Sequence, residues 1–308
     1  MSTPARCMVG LLLLAILLFG GVSLVHGGIY GWTIFMVSPV LLGGIASLVY
    51  RPATGAQAAK IGALSVTIAL GSFLILGLEG LICIGMTLPL AVPLGALGSW
   101  LVYRCEPSRS ATRGGIAMLL LLPPASVTWD LKARPPVFEV RSSITIAASP
   151  ERVWKYVVTF PELPEPREWF FRAGLAYPKL ARIEGSGLGA MRYCEFSTGT
   201  FVEPIDVWDA PRLLRFRVTE SPAPMREWSP YAQALPKHLH GYMVSKQGQF
   251  RLTRLSGNRT LLEGTSWYQH GLWPAEYWRW WSDAIIHRIH MRVLNHIGTL
   301  AEAEGKLP

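Results

Sequence analysis

Two hydrophobic patterns follow one another along the chain. Up to Trp129 the apolar residues run almost continuously; from Val137 onward they alternate or recur at helical spacing. A bilayer-spanning helix needs about 20 mostly apolar residues. Cys7–Val25 and Ile29–Tyr50 are two such runs, and Ile61–Tyr103 is long enough for two more, broken at Glu79-Gly80. Pro89 and Pro93 fall in the fourth, where neighbouring helices can satisfy the freed carbonyls. A fifth, shorter run is Gly114–Trp129, which carries Pro123-Pro124. The first run is longer than a secretory signal core and is read as a span.

The pattern then changes. Asp130–Pro136 is an extended, proline-bearing linker. Val137–Ala148 has the β-branched enrichment of a strand. Ser149, Pro150 and Glu151 form a helix start, with Ser149 as the expected N-cap. Six further strand-like runs follow: Leu175–Glu184, Ala190–Ser197, Thr200–Trp208, Leu213–Thr219, Met243–Leu255 and Thr260–His270. Glu220–Tyr242 is a long loop with four prolines, and loops of that length are usually functional or mobile. Pro274–Glu304 closes the chain as one long helix whose apolar stripe is Ile285, Ile286, Ile289, Val293, Ile297 and Leu300. Strands flanked by helices make an α+β layout. Wrapping the sheet around the last helix would bury it and leave a cavity. The expected domains are residues 1–129 as a membrane bundle of four or five helices, 130–136 as linker and 137–308 as a ligand-binding domain.

Charge sharpens this division. Only 16% of residues are charged, against about 25% in a typical soluble domain. The deficit lies in Met1–Trp129, which holds six Lys/Arg and two acids. Arg6 precedes the first run, Arg51 and Lys60 flank the loop after the second, and Arg104, Arg109 and Arg113 flank the loop after the fourth, which places the N-terminus in the cytoplasm. Four spans would leave the C-terminal domain inside; five would put it outside, and five is the expectation. From Val137 the balance is 21 basic to 17 acidic residues with no basic run, so nucleic acid is not an expected partner. No nucleotide-binding, zinc-protease or nucleophile-elbow motif occurs, and neither cofactor nor metal is expected.

The segment "SSITIAASPERVWKYVVTFPELPE" (Ser142–Glu165), with Pro150, Glu151, Val153 and Trp154 opening its helix, resembles the START-like or SRPBCC superfamily. That superfamily includes polyketide cyclase/dehydrase proteins and lipid-transfer domains. "RTLLEGTSWYQ" (Arg259–Gln269) before the long helix is similar to the family's closing elements. The resemblance covers about Val137–Glu304. It implies a helix-grip fold, an antiparallel sheet around a long C-terminal helix, with a deep apolar pocket for a lipid or other hydrophobic small molecule. The family contains carriers, enzymes and binding modules, so three functions stay open: a membrane-anchored carrier of a hydrophobic ligand, a cyclase/dehydrase-type enzyme with a Glu or His as acid and base, and a non-catalytic interaction module.

Glu195, Glu203 and Glu263 lie in strand-like runs, where alternation sends them either into the cavity or out to cross-strand arginines. Asp283, His287 and His290 share one face of the last helix and could do acid–base work, with a solvated face of ion pairs as the alternative. Trp267, Tyr277 and Trp281 supply aromatic lining. The tryptophans between Trp273 and Trp281 could also rest at a bilayer surface, though packing inward is the default. The cavity candidates are therefore Glu195, Glu203, Glu263, Trp267, Tyr277, Trp281, Asp283 and His287. The expected partners are the lipid bilayer and a hydrophobic small molecule.

Overall fold

The computed structural model describes residues 3–105, 122–229, 231 and 239–304. The chain forms two compact units. The first comprises Met1–Arg134, Glu227–His238 and Gly271–Glu276; the second comprises Pro135–Arg226, Leu239–His270 and Tyr277–Pro308.

The first unit is helical. Its elements are α1 (Thr3–Gly27), α2 (Ser38–Tyr50), α3 (Gly55–Ile75), α4 (Leu81–Cys105) and the helical residues 122–132 (α5). A single π-helical turn, Thr33–Val37, runs into α2. Four of these helices have the length and apolarity to cross a membrane. Part of the expected fifth run, residues 114–121, lies outside the described residues. Leu11, Leu12, Ile16 and Phe19 on α1 are exposed, as side chains facing lipid would be.

Helix ends in this unit are closed by groups far along the chain. The Asp130 carboxylate accepts from the backbone N–H of Trp32 at 2.8 Å and of Thr33 at 3.0 Å. Glu227 accepts from the backbone N–H of Ile82 and of Cys83, both at 3.0 Å. The first N–H groups of a helix have no partner within it, and a carboxylate there also meets the positive end of the helix dipole. Tyr30 donates its hydroxyl to Glu79 at 3.1 Å, joining the α1–α2 turn to the α3–α4 turn. At the other end of α4, Tyr103 donates to the Ala53 carbonyl in the α2–α3 loop.

Glycine sets how closely these helices approach. A Cβ added to Gly98 would overlap the Val40 carbonyl oxygen, and one on Gly43 or Gly62 would overlap the Gly95 carbonyl. The obstacle in each case is backbone, which cannot rotate away, and small residues are what membrane helices use for such contacts. Gly98→Val should therefore destabilise the bundle by about 1–3 kcal/mol, the usual cost of overpacking. Unfolding of the purified chain in mixed micelles measures this, and an unchanged transition would contradict the close approach.

The second unit is a seven-stranded antiparallel sheet curled around a long helix. Its strands are β1 (Val137–Ile146), β2 (Pro178–Glu184), β3 (Met191–Phe196), β4 (Gly199–Asp209), β5 (Leu213–Arg217), β6 (Met243–Leu255) and β7 (Arg259–His270), in the order β1-β7-β6-β5-β4-β3-β2. Helices α6 (Pro150–Val158) and α7 (Trp169–Arg172) connect β1 to β2, and α8 (Ala275–Glu304) closes the chain. The helix-grip architecture expected from the sequence is present. Ser149 occupies the N-cap position of α6, but its side chain makes no capping bond; Pro150 at the first turn sets the helix start instead. The core gathers Ile146 of β1, Val153 and Val157 of α6, Leu214 and Leu262 of the sheet, and Leu294, Ile297 and Ala301 of α8.

Candidate functional site

A cavity of about 160 Å³ lies between the concave face of the sheet and α8. Phenylalanines dominate its sheet side: Phe196 and Phe201 on β3 and β4, Phe216 and Phe250 on β5 and β6. Ile285, Ile286 and Ile289 of α8 form the opposite wall, and the segment Ser221–Met225 contributes to the rim. The sequence stripe on α8 is what places these isoleucines there.

Two polar groupings interrupt this apolar lining. The first is an ion pair between Arg192 on β3 and Glu203 on β4, which face each other across the strand register. Arg192 is 2% exposed and Glu203 6%. The guanidinium lies over three rings, 5.7 Å from Phe160, 5.2 Å from Phe216 and 5.7 Å from Phe250, so its charge is also held by aromatic faces. Its Nε has no hydrogen-bond partner among the described residues. Burial pushes the Glu203 carboxyl above its ordinary range while Arg192 pulls it back. Cys194, next on the same face of β3, is buried, and burial together with the charge of Glu203 pushes its thiol up to about 12. It is therefore a packed thiol rather than a nucleophile.

The second grouping lies under α8. His290 lines the cavity. Its Nδ1 is 3.1 Å from the Ser142 hydroxyl and its Nε2 is 2.8 Å from the Ser266 hydroxyl. His287 Nδ1 is 2.7 Å from the same Ser142 oxygen. Burial, and then the neighbouring His287, lowers the His290 pKa to about 4, so this imidazole is neutral near pH 7. Beside it, the Tyr268 hydroxyl donates to Asp283 at 2.6 Å, and Arg279 Nε donates to the same carboxylate at 3.2 Å. Burial and Asp283 hold the Tyr268 phenol above its usual range.

Residues 137–257 match the family model described as polyketide cyclase/dehydrase and lipid transport. The match lies wholly C-terminal to the helices α1–α5. The match ends in the β6–β7 turn; β7 and α8, which complete the grip, lie beyond it. Among solved structures, the chain is similar to a norcoclaurine synthase of Thalictrum flavum, with 11% identity over 57% of this chain and 100% of that one and a TM-score of 0.38. It is also similar to an aromatase/cyclase of Streptomyces sp. R1128, with 19% identity over 56% and 97% and a TM-score of 0.34. A protein of Nitrosospira multiformis matches at 16% identity over 55% and 100%, with a TM-score of 0.35. No curated protein matches the chain.

Of the eight candidates named from sequence, Glu203 alone is among the residues lining this cavity. Glu195 lies on the outer face of β3 and pairs with Arg182 at 3.4 Å. Glu263 faces outward on β7, 3.9 Å from Arg141. Trp267, on that outer face, donates its indole N–H to Glu139 at 2.9 Å. The reason is strand parity: five of the six buried positions on β7 are even, Thr260, Leu262, Gly264, Tyr268 and His270, with Thr265 the exception. Tyr277 stacks edge-on against Trp278, and Trp281 against Trp280. Asp283 accepts from Tyr268 at the edge of the site, and His287 reaches it only through Ser142. Asp283, His287 and His290 share a helix face; the two histidines meet at Ser142, Asp283 serves Tyr268 and Arg279, and the three form no metal-ligand set among the described residues.

Arg192 is a site residue that the sequence pattern does not single out. In β3 it alternates with Cys194 and Phe196, the cavity face, whereas Glu195 alternates with Met191 and Tyr193. Each face of β3 carries two apolar residues and one charged one, so alternation alone does not tell the buried arginine from the exposed glutamate.

Proposed function

We propose that the protein is a membrane-anchored binder of a small, largely hydrophobic molecule carrying a polar oxygen. The observation that carries this reading is a buried guanidinium, with its Nε unpartnered, in the wall of an otherwise phenylalanine-rich cavity. Apolar pockets with a few placed polar groups are the usual form of a small-molecule site. Phenylalanine faces supply contact area for an aromatic ring or a short acyl chain, and Arg192 offers a donor to its oxygen. A space of about 150 Å³ holds one benzene ring in an engineered protein cavity, so a larger ligand would extend past the rim formed by Ser221–Met225.

The test is saturable binding of 2-naphthol to the full chain in nanodiscs, followed by its fluorescence. Ile285→Trp, which adds bulk from α8 into the cavity, should weaken binding by about tenfold or more, equivalent to about 1.4 kcal/mol. Absence of saturable binding by the unaltered chain, or equal binding by the tryptophan variant, would count against the cavity as the site.

The anchoring reading includes a topology. Asp130 closes the start of α2 near the α1–α2 turn, while Cys105 ends α4 beside the α2–α3 loop. These contacts support a fifth crossing between Cys105 and Asp130. With the N-terminus inside, the START-like domain then lies outside the cytoplasm.

A further inference from the structure

The polar groups under α8 form an unbroken series: exposed His287, the Ser142 hydroxyl, His290, the Ser266 hydroxyl and the cavity. Each link falls between 2.7 and 3.1 Å. Ser142 is the junction. It is an inward-facing residue of β1, 4% exposed, set between two histidines three residues apart on α8. A serine hydroxyl has one proton to donate and can accept another bond. When it donates to one of the two imidazoles, the other must donate to it.

That constraint gives the series two self-consistent arrangements. In one, His287 Nδ1–H donates to Ser142, Ser142 donates to His290 Nδ1, and His290 Nε2–H donates to Ser266, whose own proton is free to point into the cavity. In the other, every bond is reversed: Ser266 donates to His290 Nε2, His290 Nδ1–H donates to Ser142, Ser142 donates to His287 Nδ1, and His287 carries its proton on Nε2. Both imidazoles are neutral in both arrangements.

We propose that this series is a proton relay connecting the ligand cavity with solvent. It rests on the reading that the cavity holds a ligand, and it deepens that reading by naming the chemistry: protonation or deprotonation of an enolate, phenolate or similar oxygen placed against Ser266. Conversion of the first arrangement into the second moves one proton. The Ser266 O–H bond breaks as an O–H bond forms on the ligand oxygen. Ser266 takes the Nε2 proton of His290, His290 Nδ1 takes the Ser142 proton, and Ser142 takes the Nδ1 proton of His287. A solvent acid then gives its proton to His287 Nε2 and keeps the bonding pair. One proton leaves solvent, one reaches the ligand, and no charge stays on the protein. The reverse sequence removes a proton from the ligand. The neutrality of His290 suits this role, because a permanently charged imidazole would donate from both nitrogens and block the reversal.

The test uses the full chain in micelles, with histidine imidazoles labelled with nitrogen-15 and no ligand added, so its outcome is independent of whether 2-naphthol binds. Long-range proton–nitrogen spectra should place both His290 nitrogens between the protonated and bare limits, as two arrangements in exchange require. Ser142→Ala should move each nitrogen to one limit. Ser142→Thr, which keeps the hydroxyl on the strand, should restore the intermediate positions. Ser266→Ala should move the His290 Nε2 signal while leaving His287 coupled to Ser142. A single fixed His290 tautomer in the unaltered chain would overturn the relay. So would intermediate positions that persist in Ser142→Ala.

Discussion

Glu203→Ala should destabilise the C-terminal unit by about 3–5 kcal/mol, because it leaves the guanidinium of Arg192 charged and buried with no carboxylate. Arg192 is 2% exposed and cannot reach water without opening the sheet. Three phenylalanine faces compensate only in part. For a domain of this size a loss of 1 kcal/mol lowers Tm by about 2–4 °C, so a drop of roughly 10 °C is expected in a thermal melt of the C-terminal unit within the full chain. Glu203→Gln keeps an acceptor and should lose less. The double variant Arg192→Met, Glu203→Leu should recover most of the loss, since a buried ion pair is often no more stable than an apolar pair of similar volume. That double variant separates two roles. It should melt near the unaltered protein yet bind 2-naphthol more weakly, having lost the polar anchor. A Glu203→Ala variant that melts with the unaltered chain would mean that Arg192 finds another partner and that the pair does not stabilise the cavity wall.

Much of the fold was legible because each element carries its own local signal. Met243–Leu255 is the same strand from sequence and in the structure. The long C-terminal helix starts at Ala275, one residue after the proline that marks its beginning. What periodicity did not settle was which face of a strand points inward, and site assignment depends on that. Glu195 and Glu203 look alike as acids in apolar runs, but one pairs with Arg182 on the outer face and the other with Arg192 inside. Shifting a strand by one residue reverses every such assignment. The caps on the membrane helices were beyond local reading altogether. Glu227 sits in a proline-rich loop and Asp130 opens a linker, so both resemble ordinary surface acids. Only the tertiary fold brings them to the first N–H groups of α4 and to the π-turn before α2. The His290 grouping was half legible: the helix spacing was visible, but Ser142 and Ser266 lie on β1 and β7, and nothing in the sequence pairs them with α8.

A reporter that works only outside the cytoplasm, fused after Pro308, should be active, and one that works only inside should be silent. The argument runs through the ends of the helices. α4 has 25 residues and at about 1.5 Å per residue spans roughly 37 Å, enough to cross the hydrocarbon core. Its first residues meet Glu227, and the turn before them meets Tyr30. Its last turn meets Ala53. The α1–α2 and α3–α4 turns therefore share one end of the bundle, and the α2–α3 loop marks the other. Asp130 is bound to the first end, through Trp32 and Thr33. Cys105 lies at the second end and Asp130 at the first, and that separation is the observation behind the proposed fifth crossing. The proposed orientation puts the second end in the cytoplasm because Arg51, Lys60 and Arg104 lie there, whereas the segments between α1 and α2 and between α3 and α4 carry no Lys or Arg. Under the proposed topology, deleting residues 106–129 should invert both reporter signals. An inside-active reporter on the unaltered chain would sink the five-crossing topology, and with it the placement of the ligand cavity outside the cytoplasm.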